Sequence, residues 1–292
     1  MKTNKHKLTV IIIGLFITFW GVLFVGCDEC DDCRVVAVGG TPPDAPQGVY
    51  SVTGDNAVYL YWLESPESDV DHYWVWRSDT EPEGPYERMW KTHSNHYVDN
   101  TANNGYTYYY AVTAVDTRGN ESEELSREMV FDTPRPEGCC VVMHDVRTAP
   151  AGAGFDFHDG RVYDAGDSRT DVFFEYDPDY DAFFVWVEGD TTDIQDFGYT
   201  DDMDELGWAP DDGWSRLPWL EAVYGHSYYV WTKDNHYAKL RIDDLDYNNL
   251  TVTISWAFQE VPGLPELAPS RPESEPINGS LVRMVSDIVK QR

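Results

Sequence analysis

The chain has 292 residues, with 52 acidic against 21 basic side chains and a formal net charge of −31. Such a surface repels phosphates and anionic headgroups, which excludes nucleic acid as a partner and leaves solubility, divalent cations or basic partners as what the charge favours. Aromatic residues make up 14% of the chain, too many for a disordered polymer and suited to packed β-structure.

Lys2, Lys5 and Lys7 open the chain, an apolar run follows from Leu8 to Gly26, and it stops at Cys27. A basic start, an apolar core and a small residue at its end are the marks of an export segment. An uncleaved membrane anchor is the alternative, because the run is just long enough to span a bilayer core. Leu23-Phe24-Val25-Gly26-Cys27 resembles the bacterial lipoprotein signal, with Phe24 where the family usually has Leu. The resemblance implies that residues 1–26 are removed, that Cys27 is the lipid attachment site, and that a lipid anchor in the membrane holds the chain in the cell envelope. Residues 27–42 read as a flexible tether, polar and punctuated by Gly39-Gly40 and Pro42-Pro43.

Four more cysteines follow: Cys30, Cys33, Cys139 and Cys140. In an oxidising compartment disulfides are the default, and the pairing stays open. A bond between the tether and the second pair fits. The adjacent pair is not expected to bridge itself, since neighbouring Cα atoms stand about 3.8 Å apart and a disulfide prefers about 4.4–6.8 Å.

Residues 43–134 are dense in short runs of period two, the strand period. Val58, Leu60 and Trp62 alternate, as do Tyr73, Val75 and Arg77, and then Tyr108, Tyr110, Val112 and Ala114. Turn signals separate them at Gly54-Asp55-Asn56, Pro82-Glu83-Gly84-Pro85, Asn103-Asn104-Gly105 and Arg118-Gly119-Asn120. The expected fold is a β-sandwich. Pro43-Asp44-Ala45-Pro46, the second-strand Trp62, Tyr73-Trp74-Val75-Trp76-Arg77 and the closing Tyr108-to-Asp116 segment resemble a fibronectin type III domain. The resemblance implies a spacer or binding module, with Tyr108 as a tyrosine corner and no catalytic residues. Trp74 and Trp76 fall on the face opposite Tyr73 and Val75, where they either pack or bind.

Pro134-Arg135-Pro136-Glu137-Gly138 reads as a linker over 135–139, and a second β-domain is expected over 140–262. Its strand runs are 154–157, 171–176, 183–187, 227–232, 237–242 and 250–258, with a hairpin turn at Lys233-Asp234-Asn235-His236. The fold class is therefore all-β: one fibronectin type III sandwich followed by a second sandwich-like domain. The Ala153–Phe157, Tyr228–Ile242 and Ile254–Gln259 segments resemble HmuY-type haem-binding lipoproteins. Haem is not carried over, because the family's haem-ligating histidines have no assignable counterparts. Residues 263–276 read as a disordered stretch rich in Pro, Glu and Ser. In 277–292, Leu281, Met284, Val285, Ile288 and Val289 stand at the spacing of a short amphipathic helix.

The stretch 188–215 carries acids but no Lys or Arg, with Phe197, Tyr199, Trp208 and Trp214 interleaved. It reads as an acidic aromatic insertion in a long loop, where binding residues tend to sit. Trp208, Trp214, Trp219 and Tyr199 are the candidate ligand-binding residues, since aromatic faces stack on apolar sugar faces while carboxylates accept hydroxyl bonds. Asp201, Asp202, Asp204, Asp211 and Asp212 are either a solvated acidic surface or a calcium site, calcium taking six to eight oxygens. The EF-hand spacing is absent, as are the serine-elbow, zinc-helix and phosphate-loop motifs. The expectation is a non-catalytic envelope module that binds a protein or a glycan. The rivals are a glycan-active enzyme or accessory domain using carboxylates of 188–215, and a structural envelope component.

Overall fold

A computed structural model describes residues 40–126, 128, 130–188 and 191–268. Residues 1–26, Cys27, Cys30, Cys33 and the expected helix over 277–292 lie outside the described residues. What is described falls in one compact unit that begins at Gly40.

The first sandwich covers the stretch read as a fibronectin type III domain, and its two sheets match that topology. Strands β1 (Tyr50–Gly54), β2 (Ala57–Tyr61) and β5 (His96–Asp99) form one antiparallel sheet in the order β1-β2-β5. Strands β3 (Val70–Ser78), β4 (Glu87–Thr92), β6 (Tyr108–Asp116) and β7 (Val130–Asp132) form the other in the order β4-β3-β6-β7. Alternation turns Val58, Leu60, Tyr73, Val75, Tyr110 and Val112 inward around Trp62, which is 2% exposed. The tyrosine corner is present: the Tyr108 hydroxyl accepts the Asn103 N–H at 3.1 Å. A buried network adds to it, with Asp99 accepting from Tyr110 at 2.9 Å and from Arg77 at 2.8 Å. The residues are therefore a fibronectin type III-like domain.

The second domain is also a sandwich. Its first sheet holds β9 (Gly154–Asp156), β10 (Arg161–Tyr163), β11 (Val172–Asp177), β12 (Ala182–Val187) and β14 (Trp219–Glu221), ordered β10-β9-β11-β12-β14. Its second sheet holds β8 (Glu137–His144), β13 (Asp193–Tyr199), β15 (His226–Trp231), β16 (Tyr237–Asp246) and β17 (Thr251–Phe258), ordered β13-β15-β16-β17-β8. Phe155, Phe174, Phe183, Val185, Tyr228, Val230, Leu240, Ile254 and Phe258 from the two inner faces share one core. A second tyrosine corner closes it, with the Tyr228 hydroxyl accepting from Val223 N–H at 3.0 Å and donating to the Glu221 carbonyl at 2.7 Å.

Three boundaries differ from the sequence reading. Within 135–139, Glu137 and Gly138 already pair with Ala257 and Trp256, so β8 begins inside the expected linker. The insertion 188–215 is not one loop: β13 adds to the second sheet, and the remainder folds back over that sheet's outer face. There Leu206, Ala209, Tyr229 and Leu267 make a satellite core. Leu267 belongs to the stretch read as disordered, yet Leu267 and Ala268 both donate their N–H to the Gly207 carbonyl, at 2.7 and 2.9 Å.

The two domains meet through buried charge. Arg135, fully buried, lies 3.5 Å from Asp204 and 3.6 Å from Glu137, and the fully buried Lys239 lies 3.4 Å from Asp204. Lys239 also donates to the carbonyls of Met203 and Leu206, at 2.9 and 3.2 Å. Asp132, at the end of the first domain, and Glu266 complete the cluster. Burial pushes their carboxyls up to about 7 and about 8, and it lowers the Lys239 ammonium to about 8.

Candidate functional site

Strand β12 reads Ala-Phe-Phe-Val-Trp-Val, and its alternation decides the site. Phe183, Val185 and Val187 enter the core, so Phe184 and Trp186 stand on the outer face. In β11, Val172 and Phe174 face inward and leave Phe173 and Glu175 outside. Pro218 precedes β14, holds its neighbours extended, and accepts the Val187 N–H at 2.9 Å. This sets Trp219 and Glu221 on the same outer face.

Register then assembles two rows across three strands. Phe173 is paired with Trp186, and Trp186 with Trp219. Glu175 is paired with Phe184, and Phe184 with Glu221. The Phe173 and Trp186 rings stack at 5.9 Å and 9°. Trp186 and Trp219 centroids are 6.1 Å apart, and Trp219 meets Phe184 edge-on at 5.2 Å. Tyr180, 75% exposed at the β11–β12 turn, extends the row edge-on to Phe184 at 6.1 Å. Each aromatic pair stabilises by about 0.5–1.5 kcal/mol beyond burial. The five rings therefore hold one another in place, and among the described residues no other side chain is laid across them by a ring or cation contact.

The rim is polar. Arg147 donates to Glu175 at 2.7 Å, and Glu175 in turn holds the guanidinium above its ordinary range. Glu221 is exposed at the other end of the second row. Trp186 Nε1 is buried without a hydrogen-bond partner. The chemistry on offer is stacking against a flat apolar surface, with hydrogen bonds to a carboxylate at the edge.

Of the residues singled out in the sequence, only Trp219 belongs to this face. Trp214 lies on the outer face of the other sheet, 6.3 Å from Tyr237 and 5.9 Å from Trp231, with its Nε1 buried and unpartnered. Trp208 bridges to Glu266 beside the satellite core. Tyr199 ends β13 and packs over Gly225, where an added Cβ would stand 2.6 Å from its ring. Trp208 and Trp214 therefore lie with the second sheet and its satellite core, and Trp219 on the outer face of the first sheet.

The acids have structural work. The Asp202 carboxylate accepts the Asp204 N–H at 2.9 Å, and Glu205 accepts the Asp202 N–H at 3.2 Å, closing a capping box on the short 3-10 turn Met203–Glu205. Asp204 pairs with Lys239 and Arg135, while Asp211 and Asp212 are exposed. Among the described residues no group of three His, Cys, Asp or Glu is gathered to hold a metal. Phe173, Phe184 and Trp186 were missed as a site. Their signal was present in the Phe-Phe-Glu and Phe-Phe-Val-Trp alternation, whose outward members are all aromatic or acidic.

No family model matches the chain. Its curated relatives include an amylopullulanase of Thermoanaerobacterium saccharolyticum, 36% identical over 84 residues, which are 28% of this chain and 6% of that protein. An amylopullulanase of Thermoanaerobacter thermohydrosulfuricus is 33% identical over 136 residues, 45% of this chain and 9% of that protein. The chain therefore spans less than a tenth of either relative. Among solved structures, a fibronectin type III-like protein from Clostridium thermocellum is 30% identical, covering 34% of this chain and 100% of that one at a TM-score of 0.29. A β-1,2-glucanase from Parabacteroides distasonis is 28% identical over 33% of this chain and 13% of its own, also at 0.29. These likenesses are segmental, and the fibronectin type III-like identity of the first domain rests on its strand order and its Tyr108 corner.

Proposed function

We propose that the second domain is a non-catalytic glycan-binding module, carried beyond the cytoplasm on a fibronectin type III-like spacer. The observation that carries this reading is the row Phe173–Trp186–Trp219, flanked by Phe184 and Tyr180 on an outward sheet face. Ordinary solvated faces carry scattered apolar residues, whereas a contiguous aromatic patch marks a contact surface. Pyranose rings present flat apolar C–H faces that stack on indoles, and their hydroxyls donate to carboxylates such as Glu221. The start of the chain supports the setting: the lipoprotein-like signal would tether it in the envelope through Cys27.

The segments shared with amylopullulanases favour a second form of the same reading, in which the module serves a glycan-active system as an accessory domain. Affinity electrophoresis of the soluble fragment 40–268 on gels holding amylopectin, pullulan or β-glucans tests both. Retardation by at least one polysaccharide, weakened about tenfold or more by Trp186→Ala or Trp219→Ala, is the expected result. No retardation on any gel, or retardation indifferent to both substitutions, overturns the proposal. Release of reducing ends by the fragment alone would make it an enzyme instead.

A further inference from the structure

In a regular strand, successive side chains point to opposite faces, and two adjacent thiols stand apart. Cys139 and Cys140 depart from this. In β8 they sit at a bulge: Val141 is paired with Ile254 and Gly138 with Trp256, so the single Ser255 opposes both cysteines. Cys140 takes a φ of +61°, in the left-handed region that L-residues rarely enter. The two sulfurs are brought to 3.0 Å, sharing a hydrogen bond, and both residues are exposed on an edge strand. That shared proton, with the Asp243 carboxylate behind it, holds the Cys139 thiol above its ordinary value.

We propose that Cys139 and Cys140 form a reversible vicinal dithiol–disulfide site on the edge of the second domain. The oxidant is a disulfide, either a small one such as oxidised glutathione or that of a thiol oxidoreductase. One cysteine thiolate attacks it, expelling one thiol and leaving a mixed disulfide. The second thiolate attacks that bond and expels the second thiol. The Cys139–Cys140 bond forms, the oxidant's S–S bond breaks, and the two protein protons leave on the two released thiols. Neighbouring Cα atoms are closer than an unstrained disulfide prefers, and strain makes a disulfide easier to reduce. The site is therefore a labile redox element and not a structural staple. It is independent of the glycan reading.

The test treats the full chain with oxidised glutathione, blocks free thiols and maps the peptide that contains both cysteines by mass. The expected product is that peptide two hydrogens lighter, restored by reduced glutathione, which leaves unstrained disulfides intact. Reduced protein is expected to bind phenylarsine oxide, a probe that needs two close thiols, and to lose that binding in Cys139→Ser. Cys140→Gly, which suits the left-handed backbone, should keep the fold and lose both signals. A peptide carrying only glutathione adducts, bonds from these cysteines to Cys30 or Cys33, or an oxidised pair that resists glutathione would overturn the proposal.

Discussion

The two domains are built alike and finished differently. Each is a two-sheet sandwich, and each is closed by a tyrosine whose hydroxyl accepts a backbone N–H five residues upstream, Asn103 for Tyr108 and Val223 for Tyr228. Both carry aromatics on an outer sheet face. On the first domain, Trp74 and Trp76 are covered: the Arg88 guanidinium sits 4.7 and 4.6 Å from their ring centroids, and Trp76 Nε1 donates to Thr113 at 3.0 Å. On the second domain, Phe173, Trp186, Trp219, Phe184 and Tyr180 meet one another and, among the described residues, no cation. Outward tryptophans alone therefore do not separate a spacer from a binding face. What separates them is whether the protein supplies its own cation and hydrogen-bond partners to the rings.

The largest effect expected is on a core shared in kind by both domains. Trp62→Ala removes the buried centre of the first sandwich and is expected to cost about 3–5 kcal/mol, read by chemical denaturation. Glycan retention by the second domain should survive it. If retention disappears as well, the two domains are one cooperative unit and the contrast above fails.

The junction gives the next effect. Glu266 and Asp132 hold their protons up to about 8 and about 7 when folded, above their unfolded values near 4.5 and 3.8. Through that window the folded chain binds more protons than the unfolded one, so stability falls as pH rises from about 5 to about 8. Lys239 acts in the opposite sense. Its folded value of about 8 lies below 10.5, so stability recovers as pH rises beyond about 8. Thermal melts across this range should show a minimum near pH 8. Glu266→Gln should flatten its acid side, and an unchanged profile would remove the junction as its source.

Smaller effects sharpen the surface comparison. Trp186→Ala should weaken polysaccharide retention about tenfold, or about 1.4 kcal/mol, while Trp74→Ala leaves it unchanged. Arg88→Ala is expected to lower stability by about 1 kcal/mol through two partly exposed cation–π contacts, with no change in retention. A loss of retention in Arg88→Ala would move the binding face to the first domain.

Most of the architecture was legible in the sequence, because alternation and turn residues are local signals. The first domain followed the runs around Trp62, Tyr73 and Tyr108, and the hairpin at Lys233–His236 joins β15 to β16 as its turn residues required. The site was legible only in Trp219. Phe173 and Trp186 are thirteen positions apart, and their stacking depends on a register no local pattern states. Trp208 and Trp214 stand out in the sequence because acids surround them, yet Asp202 and Glu205 cap a turn, Asp204 pairs with Lys239 across the fold, and Asp211 and Asp212 are exposed. Residues 264–268 read as unstructured because their burial depends on two apolar residues, Leu267 and Ala268, meeting Gly207.

That short return has a practical bearing on where the polypeptide can be cut. A protease or a stop codon acting just after Pro262 would strip Leu267 from Leu206, Ala209 and Tyr229 and leave the Gln259 amide, now donating to the Glu266 carbonyl at 2.8 Å, without its acceptor. Truncated forms ending there should be sticky and prone to precipitate, whereas those retaining Ala268 should stay in solution.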